Sequence, residues 1–139
     1  MNVSKRLMGL DFGKARIGIA FSDIMGFLAT PHSTLKRTNK EDDIKYLTNL
    51  INEKNVDTVV IGLPFEMSGN KGEIANAVEE FANKLKESAN VKIVFVDERL
   101  SSVEAEEQLK QTIKSWEKRK QLLDQVSASI ILQTYLDTK

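Results

Sequence analysis

Asp11, Glu98 and Asp124 stand where apolar structure meets something else. Asp11 follows Leu7-Met8-Gly9-Leu10 and precedes the turn-like Phe12-Gly13-Lys14. Glu98 ends the run Val91-Lys92-Ile93-Val94-Phe95-Val96-Asp97, and Asp124 interrupts the apolar face of a C-terminal helix. A carboxylate in such a place is costly unless a basic partner or a metal ion compensates its charge. The chain has one histidine and no cysteine, so three carboxylates point to a hard, oxygen-preferring cation, Mg²⁺ or Mn²⁺. Phosphodiester hydrolysis is the chemistry such a set could do: two divalent ions roughly 4 Å apart activate a water and neutralise the leaving oxygen. Two ions need carboxylates from separate elements, because one strand or helix cannot encircle both.

Each carboxylate also has a plainer reading. Asp11 could start a turn, where aspartate is favoured. Glu98 could be a surface charge at a strand end, and Asp97 competes with it, since neighbours in a strand point to opposite faces. Asp124 could be a boundary residue paired with Lys120 four positions back. Arg16 and Arg99 accompany the acidic positions; the planar guanidinium suits phosphate but could equally balance a carboxylate as an ion pair. Lys14 is a weaker candidate of the same kind. Lys118 and Arg119 belong to a basic stretch with Lys110, Lys114 and Lys120, broken by Glu117, which could face nucleic acid or simply be solvated. The loop Pro64 to Gly72 precedes a helix N-terminus, an anion-friendly place, but lacks the Gly-Lys-Ser/Thr ending of a P-loop. His32, after Pro31, reads as a surface or strand-capping residue, and Trp116 as a core anchor for a helix start.

The elements that must carry these groups follow from the apolar pattern. Lys5 to Asp11 reads as a central strand, Gly13-Lys14 as a turn, and Arg16 to Phe21 as a second strand, making a hairpin. Phe27 to Lys36 is a third strand, confined by Pro31 to an edge or a bulge. Asn39 is an N-cap with acidic residues behind it, and Ile44, Leu47, Leu50 and Ile51 predict an amphipathic helix over 40–54. Asp57 to Gly62 is a buried strand, Leu63 to Asn70 a loop, and Ile74, Val78, Phe81, Ala82 and Leu85 mark a second helix. Val91 to Val96 is the fifth strand. Ser101 and Glu104 fit a capping box that starts a third helix at about 102. The last helix spans 116–137, with Leu122, Leu123, Val126, Ile130 and Ile131 inward. The order β-β-β-α-β-α-β-α-α calls for a mixed five-stranded sheet with a hairpin portion and parallel crossovers, covered by helices.

Four stretches carry a family resemblance: Gly9-Leu10-Asp11-Phe12-Gly13-Lys14-Ala15-Arg16-Ile17-Gly18-Ile19-Ala20, Val60-Ile61-Gly62-Leu63-Pro64, Val96-Asp97-Glu98-Arg99-Leu100-Ser101, and Asp124 through Leu136. In that order and spacing they resemble the YqgF family, also called RuvX, and cover nearly the whole chain. The resemblance implies an RNase H-like α/β fold and a two-metal nuclease site in which Asp11, Glu98 and Asp124 hold Mg²⁺ or Mn²⁺. It favours Glu98 over Asp97 as the ligand and implies a role in maturing the 5′ end of pre-16S ribosomal RNA. The partners it implies are precursor rRNA, a ribosomal precursor particle or, in the alternative, branched DNA.

Composition narrows the field further. A chain of 139 residues is expected to be one RNase H-like domain over 1–139, monomer or dimer. Without cysteine there is no disulfide framework, thiolate zinc site or cysteine nucleophile, and one histidine argues against a serine–histidine triad. Apolar runs fall far short of the roughly 18 residues that span a membrane, and Met1 to Arg6 lacks the apolar stretch of a signal peptide. A cytoplasmic protein is expected. Twenty basic and twenty acidic residues balance, which counts mildly against a nonspecific polyanion binder. Three other functions compete with rRNA processing: a resolvase of four-way DNA junctions, which needs a symmetric dimer; a noncatalytic nucleic-acid-binding module; and an actin-type ATP phosphate loop at Asp11-Phe12-Gly13-Lys14, which needs a second such domain.

Overall fold

The computed structural model describes residues 5–63, 72–97, 107 and 116–138. Its elements are β1 (Arg6–Phe12), β2 (Arg16–Ser22), β3 (Ala29–Lys36), α1 (Lys40–Lys54), β4 (Val56–Leu63), α2 (Glu73–Ala89), β5 (Lys92–Asp97) and α3 (Trp116–Asp137). The strands form one sheet in the order β3-β2-β1-β4-β5. β1, β2 and β3 run antiparallel as a meander, and β4 and β5 run parallel to β1. This is the mixed five-stranded sheet the element order called for.

Strand alternation sorts the side chains onto two faces. Met8, Leu10, Ile17, Ile19, Val59 and Ile61 meet Leu47 and Ile51 of α1 and Val78, Phe81 and Leu85 of α2. Leu7, Ala20 and Val60 point the other way, onto Ala128, Ile131, Leu132 and Leu136 of α3. Among the described residues there are therefore three layers, with α1 and α2 on one face of the sheet and α3 on the other. α1 begins as expected, with the Asp42 N–H donating to Asn39 Oδ1 at 2.9 Å. α1 and α2 both end on asparagines in the left-handed conformation, Asn55 at φ 60° and Asn90 at φ 55°.

Two expectations are corrected. The third strand begins at Ala29 rather than Phe27, because Asp23 Oδ1 accepts the Phe27 and Leu28 N–H groups at 2.8 and 3.0 Å and bends them into a turn. From Ala29 on, β3 is the edge strand Pro31 required, and the register passes from Ile19↔Ser33 to Ala20↔Pro31, leaving His32 as a bulge. On α3 the sheet-facing stripe is Ala128, Ile131, Leu132 and Leu136, whereas Leu122, Leu123, Val126 and Ile130 form a separate cluster. Apolar residues encircle this helix, so their spacing does not single out one face; the shape of the sheet does. The Ser101–Glu104 capping box, the helix expected from about 102 and the loop from Pro64 to Lys71 lie outside the described residues. No helix among the described residues is long and apolar enough to cross a membrane.

Candidate active site

Leu7 and Gly9 of β1 face α3, so Asp11, two residues further on, faces α3 as well. Its cross-strand partner is Gly18 on β2. The last helix lies directly on this part of the sheet: a Cβ on Gly18 would collide with the Asp124 carbonyl. A Cβ on Gly9 would stand 2.7 Å from both the Ala128 carbonyl oxygen and Leu132 Cβ. Hydrogen atoms at Gly9 and Gly18, opposite a small-residue stretch of helix, let the two backbones approach. The Asp124 backbone rests above the residue paired with Asp11, so two acidic residues 113 positions apart in sequence belong to neighbouring parts of one face.

Arg16, the first residue of β2, closes this place. Its Nε donates to Asp124 Oδ2 at 2.6 Å, with the guanidinium side half exposed and the carboxylate 21% exposed. The ion-pair reading of Arg16 is thus realised, and Asp124 is anchored across 108 positions rather than by its own helix; the Lys120 side chain lies outside the described ones. Lys14 is exposed at the tip of the same hairpin. Two hydroxyls on this face are buried without a hydrogen-bond partner: Ser127 Oγ, one turn beyond Asp124, and Thr34 Oγ1, opposite Gly18. Orphaned polar atoms of this kind ask for a water or a ligand.

Of the other expected site residues, Glu98 and Arg99 lie outside the described residues, and Lys118 and Arg119 belong to the first turn of α3 with side chains outside the described ones. Asp97 ends β5 with the parity of Ile93, whereas Val94 and Val96 pack toward α3. Asp97 therefore points to the face opposite Asp11. His32 is exposed and bonds Ser33 Oγ at 2.8 Å through Nδ1. Among the described residues, no three of His, Cys, Asp or Glu cluster as a metal site. Gly18 is the residue whose role was missed: it stands inside a quoted motif, but nothing local in sequence announces that a distant helix will lie on it.

The sheet order, with α1 and α2 on one face and α3 on the other, is that of an RNase H-like fold. Solved structures agree in fold: RuvC of T. thermophilus in complex with a Holliday junction substrate has a TM-score of 0.60 at 12% identity, over 96% of this chain and 94% of that one. The Fowlpox virus resolvase in complex with Holliday junction DNA has a TM-score of 0.57 at 11% identity, over 96% and 97%. Residues 5–138 match the RuvX family, described as Holliday junction resolvase, and the chain belongs to that family of nucleases. A relative from Syntrophomonas wolfei is 47% identical over 132 residues, covering 95% of this chain and 94% of that protein. One from Clostridioides difficile is 44% identical over 134 residues, covering 96% and 95%. Both are named "Putative pre-16S rRNA nuclease".

Proposed function

We propose that this chain is a metal-dependent nuclease that trims the 5′ end of pre-16S ribosomal RNA, acting in the cytoplasm on a ribosomal precursor. The observation that carries the site is the stacking of Asp124 over Gly18, the cross-strand partner of Asp11. The names of the relatives carry the choice of substrate. Asp11, Asp124 and Glu98 would hold Mg²⁺ or Mn²⁺. The alternation of β5 counts against Asp97, which has the parity of Ile93 rather than that of Val94 and Val96, and the family resemblance favours Glu98. The donor set fits such an ion: the carboxylates are hard oxygen ligands, the sequence has no thiolate, and His32 sits on the opposite edge strand. Arg16 stands against Asp124 as a cationic partner, which supports the reading of this carboxylate as a place for positive charge. When bound, the ion acidifies a water and neutralises the leaving oxygen. Arg16 and Lys14, with Arg99, Lys118 and Arg119, bind the phosphate backbone and align the scissile bond.

The test is a cleavage assay with Mg²⁺ or Mn²⁺ on a single-stranded RNA bearing a 16S-precursor 5′ extension, a matched DNA and a four-way DNA junction. Metal-dependent cleavage of the RNA, absent in Asp11→Asn, is expected. Symmetric cuts in the junction alone would make the protein a resolvase. Binding without cleavage of any substrate would make it a noncatalytic module.

A further inference from the structure

The turn that carries Lys14 and Arg16 is held from the face opposite α3. Arg37, just past β3, donates its backbone N–H to the Ala15 carbonyl at 2.9 Å and an Nη1–H to the Gly13 carbonyl at 3.2 Å. The Gly13 N–H closes the turn onto the Arg16 carbonyl at 2.8 Å. The Arg37 Nε donates to Asp43 Oδ2 at 3.0 Å, and Asp43, only 2% exposed in the first turn of α1, also accepts the Thr38 N–H. The guanidinium lies 4.4 Å from the Phe12 ring centroid and 5.6 Å from that of Phe81. A carboxylate buried this deeply requires its cationic partner, and the planar fork offers donors in fixed directions. One side chain is thereby pinned to the start of α1, the end of β1 and the turn.

Phe12 and Asp11 point to opposite faces of β1, so Arg37 reaches the carboxylate side only through the backbone. The two carbonyls it holds flank Lys14, and the residue after Ala15 is Arg16, which meets Asp124 at 2.6 Å. We propose that Arg37 is a positioning residue for this site. By clamping the Gly13 and Ala15 carbonyls it sets the direction in which the Arg16 side chain leaves the hairpin, and so presents Arg16 to Asp124 and to a substrate phosphate. Without the clamp, ordering of the turn would be deferred to substrate binding and would weaken it. The inference rests on the reading of Arg16 as a phosphate-binding group.

Arg37→Lys keeps the charge beside Asp43 and removes the fork. The test compares wild type, Arg16→Ala, Arg37→Lys and the double variant. Fluorescence anisotropy with a labelled 16S-precursor RNA, without divalent cation, reads binding; amide exchange reads the turn. The expected result is faster exchange at the Gly13 amide with Met8 in β1 unchanged. Each single variant weakens binding roughly tenfold, and the double variant is no weaker than the worse single, as for residues acting in one network. Unchanged exchange at Gly13, or losses that multiply, would overturn the proposal. If Arg16→Ala binds like wild type, the phosphate role of Arg16 fails and the Gly13 amide alone decides for Arg37. Should Arg37→Lys not fold, Arg37→Gln with Asp43→Asn removes both charges together and carries the same readouts.

Discussion

On the α1/α2 face the sheet is covered by large side chains, Leu47, Ile51, Phe81 and Leu85 among them, and a buried ion pair, Arg37 with Asp43, ties elements together. On the α3 face the helix comes down onto Gly9 and Gly18 with small residues, and the groups near the contact are Asp11, Asp124, Ser127 and Thr34. The first face gains stability from apolar area; the second gives some of it up to bring backbones close and polar groups together. The site lies across the sheet from the apolar cluster under α1 and α2.

The sharpest way to break that contrast is one substitution on each face. Asp11→Asn should abolish cleavage while changing stability by no more than about 0.5 kcal/mol, as for a substitution outside the packed core. Leu85→Ala, fully buried on α2, should lower stability by about 2–5 kcal/mol yet leave cleavage per folded molecule unchanged. Denaturant unfolding and a cleavage assay on the same preparations read both. A large stability loss in Asp11→Asn, or a loss of specific activity in Leu85→Ala, would show that the faces are not independent.

Within the α3 face, Gly18→Ala and Gly9→Ala sharpen the comparison. Both added methyls meet the helix and should cost about 1–3 kcal/mol through overpacking. Only Gly18 lies under Asp124, so Gly18→Ala should also lower cleavage beyond what its stability explains, and Gly9→Ala should not. Equal activity per folded molecule in the two would detach the close helix contact from the site.

Much of this was legible in the residues. Periods of two and of three to four marked the strands and the helix over 40–54, which buries one stripe and needs little else to define it, and the long apolar-rich segment 116–137 read as helix although its stripe did not. The motif residues Asp11, Arg16 and Asp124 stood out because charge at the edge of apolar runs demands a partner. What was hidden depended on tertiary contact. Asp43 reads as an acidic residue suited to a helix N-terminus, yet it is 2% exposed and paired with Arg37; the guanidinium is held in turn by Phe12, Phe81 and the Gly13 carbonyl, contacts from other elements that no local pattern encodes. The sheet-facing stripe of α3 was equally hidden, since its choice among apolar residues was made by Gly9 and Gly18 on another element. Phe27 and Leu28 look like strand, and one aspartate four residues earlier in the chain turns them outward.

That aspartate supplies the smallest effect and a comparison of two anchor points on α3. Near its middle Arg16 holds Asp124; toward its C-terminus Gln133 Oε1 accepts the Ala29 N–H and Nε2 donates to the Phe27 carbonyl, at 2.9 and 3.0 Å. The Phe27 turn depends on Asp23, whose carboxyl is held below its ordinary value of 3.8, chiefly by the Leu28 N–H and then by that of Phe27. A depressed carboxyl contributes its full share of stability above the unfolded value and loses it as pH falls through the folded one. Amide exchange at Phe27 and Leu28 should therefore quicken as pH drops below about 3.8 beyond the intrinsic pH dependence of exchange, while the Ile19 amide in the sheet keeps its protection. In Asp23→Asn the two loop amides should be less protected at neutral pH and lose that step. The effect is local because Asp23 is exposed to solvent, where screening limits what one carboxylate can hold. A step of equal size at Ile19 would mean that the loop and the sheet open together, and that the Gln133 anchor of α3 is as firmly built as the Asp124 anchor.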